Sequence, residues 1–208
     1  MLVLAIDTAT PAITAGVVAV ESATGGGAAT ARVLAERITV NARAHGELLT
    51  PHILAATADA GYSLRDLDAI ACGVGPGPYT GLRAGMVTAA ALSESLRIPA
   101  HPVCTLDAIA ATAGPGEPFL VVTDARRREV YWAAYDGEGT RVEGPGVGPR
   151  AGLPEAGRIL DHESPSPLGI ASAAAVALLS DSEPDPLTPL YLRRPDAAEP
   201  GARKRVTT

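Results

Sequence analysis

Apolar residues recur along this chain in two rhythms, and each change of rhythm predicts where a strand gives way to a helix. Residues 2–7 (Leu-Val-Leu-Ala-Ile-Asp) form an apolar run closed by a carboxylate and read as a buried strand. Residues 8–11 read as a turn and 13–20 as a second strand, and Gly25-Gly26-Gly27 is expected to close a hairpin onto a third strand at 31–40. From 43 to 60 the spacing lengthens. His45, Leu48, Leu49, His52 and Ala56 fall on one face of a predicted helix, with Gly61 as its C-cap. A strand at 68–74, a helix at 81–97, a strand at 100–104 beginning after Pro99, and a helix at 105–113 complete the first half.

The second half opens as the first does. Residues 119–124 are again an apolar run ending in aspartate, a turn follows at Ala125-Arg126-Arg127, and 129–135 return as a strand. This echo of residues 2–20 suggests a duplicated lobe. Residues 137–167, rich in Gly and Pro, read as loops with little regular structure, 168–180 as a final helix and 187–192 as a short extended piece. The predicted organisation is a first lobe over residues 1–104, a smaller lobe over 105–194 and a disordered basic tail over 195–208.

The densest local signal is Gly73-Val74-Gly75-Pro76-Gly77-Pro78-Tyr79-Thr80-Gly81-Leu82-Arg83, which joins a strand to an alanine-rich helix. Glycine admits positive φ, proline fixes φ and removes a donor, and Thr80 offers an N-cap hydroxyl. A stiff turn of this kind points helical N–H groups outward, which makes Gly75, Gly77, Thr80, Gly81 and Arg83 candidates for holding an anion. Shaping a surface and packing a helix is the competing reading. The common nucleotide signatures fail: Leu82 and Arg83 follow Gly81 where a Walker loop needs Lys-Ser or Lys-Thr, and Thr80 stands where the dinucleotide fingerprint needs glycine. The only lysine is Lys204.

Composition narrows the classes. With 208 residues, 47% of them hydrophobic, the chain can bury a core without covalent staples, so Cys72 and Cys104 read as buried thiols. The apolar N-terminus lacks a positive flank and is broken by Asp7, which argues against a signal peptide or membrane span and for a cytoplasmic protein. A formal charge of −6 and 3% aromatic content disfavour self-sufficient nucleic-acid binding, although Arg126, Arg127 and Arg128 and the tail are locally basic.

Candidate chemistry is sparse. Asp7 and Asp124, each at a strand end, would face one cleft in an actin-fold ATPase or small-molecule kinase with a magnesium nucleotide; structural acceptance of turn N–H groups is the alternative. His45 and His52 are seven residues apart, whereas helical metal pairs sit four apart, so a zinc hydrolase ranks last. Leu82, Gly85, Met86, Ala89, Ala90 and Ser93 form a stripe of mostly small residues. Together with the stripe on the 43–60 helix it offers more apolar helix face than one lobe needs, and surplus of this kind marks an interface.

Five segments taken together, Ile6-Asp7-Thr8-Ala9-Thr10, His45-Gly46-Glu47-Leu48-Leu49-Thr50-Pro51, Gly75 to Arg83 of the glycine loop, Asp124-Ala125-Arg126-Arg127-Arg128-Glu129-Val130-Tyr131 and Pro189-Leu190-Tyr191-Leu192-Arg193, resemble the TsaB (YeaZ) family. The resemblance implies an α/β, duplicated actin-like (RNase H-like) fold with two mixed-sheet lobes, and a role in making threonylcarbamoyladenosine next to the tRNA anticodon. It implies a scaffold without catalysis or cofactor of its own that pairs with a TsaD-type transferase, is joined by a TsaE-type ATPase, meets tRNA only through that complex and forms a homodimer when alone. The His-x-x-x-His metal pair of TsaD is absent, because Leu49 stands four residues after His45. On this reading His45, Leu48, Leu49, His52, Leu82, Gly85, Met86, Ala89 and Ser93 supply the docking bundle, and no residue is catalytic or metal-binding.

Overall fold

A computed structural model of the chain describes residues 1–22, 29–180 and 183–193. The hairpin glycines at 25–27 and the tail from 194 onward lie outside the described residues.

The strands form two sheets that repeat one topology. In the first, β1 (Leu2–Asp7) pairs antiparallel with β2 (Ala12–Glu21), which pairs antiparallel with β3 (Thr30–Val40). On its other side β1 runs parallel to β4 (Ala69–Gly73), and β4 parallel to β5 (Ala100–Val103). The second sheet places β6 (Phe119–Asp124) where β1 stands, antiparallel to β7 (Glu129–Tyr135), which pairs antiparallel with β8 (Arg141–Pro149). A short β9 (Arg158–Asp161) runs parallel to β6. The order β8-β7-β6-β9 thus matches β3-β2-β1-β4 in sequence and sense, so the echo read from the sequence is a repeated topology.

Residues 137–167, expected as loops, hold two strands. β8 is an edge strand, where Gly and Pro cost least, and pairing with β7 overrides its composition. β9 has four residues and exists through its ladder with β6.

Helices α1 (His45–Asp59) and α2 (Tyr79–Leu96) cover one face of the first sheet, where Leu49, Ile53, Leu82 and Met86 pack on Leu4, Ile6, Ile13 and Ile70. α1 ends as predicted: Gly61 takes φ +80° just past the Ala60 cap, and the N–H groups of Gly61 and Tyr62 close on Ala58 and Thr57. α3 (Thr105–Ala110) lays Leu106 and Ile109 on Phe119, Val121 and Tyr135 of the second sheet. α4 (Pro167–Leu178) follows β9 in the chain yet packs on the far face of the first sheet, against Val3, Ala5, Val18 and Ala71. β1 and β4 are therefore covered on both faces, which is why they read as continuous apolar runs.

Candidate functional site

The turn that follows β1 is fixed from three sides. Asp7 is fully buried; one carboxylate oxygen accepts the Thr105 hydroxyl at 2.6 Å and the other the Ala9 N–H at 2.7 Å. Burial pushes its pKa up to about 6, with those hydrogen bonds and the nearby His45 pulling the other way. Thr8 hydroxyl donates to the Gly81 carbonyl at 2.7 Å and accepts the Gly85 N–H at 2.9 Å, touching both ends of one rung of α2. His45 Nε2 lies 2.9 Å from the Thr10 carbonyl, and since a carbonyl only accepts, that nitrogen carries the proton. Asp124, at the matching end of β6, is exposed and lines the interlobe cleft. The layout in which Asp7 and Asp124 face one magnesium nucleotide is corrected: Asp7 points into the interior, where Thr105 and Ala9 occupy it.

The glycine loop serves this packing. A Cβ on Gly77 would lie 2.2 Å from the Ala9 carbonyl oxygen, one on Gly81 2.8 Å from that of Thr8, and one on Gly85 2.6 Å from Thr8 Oγ1. Only glycine lets the 7–10 turn lie this close to the loop and to α2. Gly75 is buried under Leu82. The predicted N-cap is also displaced: Pro78 caps α2, its carbonyl accepting the Leu82 N–H at 3.0 Å, and Thr80 stands inside the first turn, exposed to the cleft.

The stripes expected to form a docking face point inward. Leu49, Leu82, Gly85, Met86 and Ala89 are buried in the chain's own core and Leu48 packs at its margin. His45 is buried on Thr10, His52 Nε2 lies 2.8 Å from the Thr39 hydroxyl, and Ser93 donates to the Ile98 carbonyl at 2.6 Å. The apolar spacing was a correct sign of helices but marked their core face. The outward face of the pair carries Leu54, 51% exposed, and Val87, 66% exposed, with Thr50, Ala90 and Ala91 also exposed. Among the described residues no group of three His, Cys, Asp or Glu side chains is placed to hold a metal, and no helix is long and apolar enough to cross a membrane. Cys72 and Cys104 are unpaired, and burial pushes the Cys104 thiol up to about 11.

Between the lobes lies a cavity of about 670 Å³. Among the described residues its lining carries Arg43, Arg126, Arg193 and Asp124, together with the ring of His45. Along its rim, residues 187–193 cross from one lobe to the other. Leu190 donates its N–H to the Val74 carbonyl at 2.8 Å, and Leu187 and Leu190 pack on the first core. Tyr191 stacks on Tyr79 with centroids 5.2 Å apart and accepts a 2.8 Å hydrogen bond from Arg83 Nε, while the Arg83 guanidinium lies 3.9 Å over the Tyr79 ring. Arg193 then reaches the second lobe, donating to the Ala125 carbonyl at 2.7 Å with Glu129 at 3.6 Å. Arg83, a candidate for an anion, is thus engaged by two tyrosines. Sequence periodicity gave no sign of this cluster, because Tyr79 and Tyr191 meet only through the tertiary fold.

A family model described as TsaD, tRNA N6-adenosine threonylcarbamoyltransferase, matches residues 32–150. An uncharacterized protein of Mycobacterium tuberculosis strain H37Rv is 51% identical over 94% of this chain and 93% of its own length. The tRNA threonylcarbamoyladenosine biosynthesis protein TsaB of Bacillus subtilis is 33% identical, the match covering 65% of this chain and 55% of TsaB, and that of Escherichia coli is 37% identical over 47% and 46%. Among solved structures, YeaZ from Pseudomonas aeruginosa superposes with a TM-score of 0.74 at 25% identity, covering 92% of this chain and 99% of YeaZ.

Proposed function

Because the chain belongs to the TsaB (YeaZ) family, within the wider group described by the TsaD-type model, we propose that it serves tRNA threonylcarbamoyladenosine formation in the cytoplasm as a scaffold without a reaction centre of its own. The observation that carries this reading is the state of Asp7. The strand-end carboxylate that would have to meet a metal-bound nucleotide is buried and hydrogen-bonded by Thr105 and Ala9, and the hydroxyl beside it is bonded to α2. Groups already satisfied by the fold are poor candidates for chemistry on a substrate.

The chain acts by binding a TsaD-type transferase and holding it in a productive arrangement, with a TsaE-type ATPase joining the assembly and tRNA engaged by the whole. The docking face is the outward side of α1 and α2 around Leu54 and Val87, where apolar side chains stand exposed on packed helices. The same face pairs two copies when the partner is absent.

Leu54→Asp with Val87→Asp tests this. Both positions are exposed, so the variant keeps its thermal midpoint, and it is expected to lose co-elution with the TsaD-type subunit and the tRNA modification that depends on it. Two buried anchors of this size contribute about 1–2 kcal/mol each at an interface, so affinity falls at least tenfold. Undiminished co-elution of the folded variant refutes the docking face, and threonylcarbamoyl transfer by the chain alone refutes the scaffold.

A further inference from the structure

This inference rests on the tRNA-modifying reading above and adds an RNA-facing surface to it. We propose that the rim of the interlobe cleft contacts single-stranded RNA, with Arg43, Arg126 and Arg128 on phosphates and a base stacked on the Tyr79–Tyr191 pair.

The charge distribution is the first ground. The chain as a whole carries a formal charge of −6, yet among the described residues the cleft is lined by three arginines and one carboxylate, Asp124, which already accepts the Arg126 backbone N–H at 2.9 Å. With Arg193 paired to Glu129, Arg43 and Arg126 still outnumber Asp124, and a locally positive cleft on a negative chain concentrates anionic ligand where the averaged field would repel it. Arg126, Arg127 and Arg128 stand in left-handed backbone, at φ 61°, 52° and 67°, and are exposed. Non-glycine residues rarely adopt that conformation; of this turn Ala125 and Arg126 line the cavity, and Arg128 is exposed two residues further on. The sequence beyond Arg193, which is tied to this same loop at Ala125, continues with Arg194 and later Arg203, Lys204 and Arg205.

The rings are the second, independent ground. Aromatic residues make up 3% of the chain, yet two of its five tyrosines stack on each other at the cleft rim, Tyr79 at 50% exposure and Tyr191 at 40%. Arg83 bridges both, lying over one ring and donating to the hydroxyl of the other, so the pair is assembled before anything binds. A basic groove flanked by half-exposed aromatic side chains is what unpaired nucleotides bind, since every base offers a π-face and every linkage a phosphate. A duplex hides its bases and would use only the arginines, so a single-stranded loop is the partner this surface fits.

The test is fluorescence anisotropy of a short labelled oligoribonucleotide, single-stranded or annealed to its complement, titrated with the full chain at low salt and again with the chain assembled with its TsaD-type partner. The single strand is expected to bind more tightly than the duplex. Arg126→Ser with Arg128→Ser should weaken binding about tenfold and lower the log–log salt slope by about 1.4, the share of two single-strand phosphate contacts. Tyr79→Ala should weaken it about fivefold or more at unchanged slope, and Tyr79→Phe should not. Equal affinity for the duplex, no binding by the wild type in either form, or folded variants that bind like the wild type would each overturn the proposal. Thermal unfolding checks that the variants fold, and the arginine pair decides if Tyr79→Ala does not. Assembly is read separately by size exclusion: failure to assemble refutes the scaffold, while the titration of the chain alone still decides the RNA contact.

Discussion

Replacing Asp7 by asparagine isolates the cost of a buried charge. In the unfolded chain this carboxyl ionises near 3.9, as aspartate ordinarily does, and in the folded chain burial raises it to about 6. Between those values the folded state binds the proton more tightly. The stability this group contributes is therefore fully present below about pH 4 and is lost as the pH rises through 6. A shift of about two units corresponds to about 3 kcal/mol. Asp7→Asn cannot ionise but keeps the shape: its amide oxygen takes the Ala9 N–H, and its amide N–H₂ faces the Thr105 oxygen, which rotates to accept. Exchanging two charge-assisted hydrogen bonds for neutral ones forfeits about 1 kcal/mol each, so at pH 7.5 the variant should lie within about 1 kcal/mol of the wild type or above it. The decisive quantity is the difference in unfolding free energy, variant minus wild type, from urea titrations followed by circular dichroism at several pH values. It should fall by about 3 kcal/mol between pH 7.5 and 4, as the wild-type carboxyl regains its proton. Taking the difference cancels Asp66 and Asp161, whose carboxyls are held below the ordinary range by Ser63 and Arg150 and act with the opposite sign. A flat difference would mean that burial leaves this carboxyl's hold on its proton unchanged, and one that rises toward low pH that the fold stabilises the anion; either would refute the reasoning.

Two further substitutions probe the packing around the site. Gly77→Ala would put a Cβ 2.2 Å from the Ala9 carbonyl and should cost more than about 3 kcal/mol, whereas Gly46→Ala, near the start of α1 with nothing within 4 Å, should leave the thermal midpoint unchanged or raise it by the helix propensity of up to about 1 kcal/mol. Tyr135→Phe removes a 2.8 Å hydrogen bond to Asp107 while keeping the stack on Phe119, and Asp107 retains Arg141 at 3.2 Å; a loss of about 1 kcal/mol in urea unfolding is expected, and an unchanged midpoint would show that this bond adds nothing.

What the sequence disclosed was what repeats locally. Runs such as residues 2–7 and 119–124 announced central strands because strands covered on both faces must be apolar throughout, and the matched aspartates announced the duplication. Helical spacing found α1 and α2 but gave no sign of which face a partner would meet, since a core stripe and an interface stripe obey the same period. Arg141 to Pro149 reads as loop in sequence because Gly and Pro weigh against a strand until a neighbour supplies the ladder. The α4 helix was legible, its packing on the first sheet was not, and neither was the meeting of Tyr79, Arg83 and Tyr191, which depends on where the chain's end returns.

The two lobes explain each other. Between β3 and β4 the first lobe inserts α1, whose His45 holds the Thr10 carbonyl; between β8 and β9 the second lobe has only a single 3-10 turn, Arg150–Gly152. Equivalent strand ends therefore meet opposite fates. The turn after β1 is held by α1, α2 and α3, and its aspartate is drawn inside; among the described residues no such helix covers the turn after β6, and Asp124 with the arginines that follow stays at the surface. One half therefore holds its strand-end turn under three helices, and the other, among the described residues, leaves the equivalent turn at the surface. The prediction for Asp7 tests the first half, and the RNA titration tests the second.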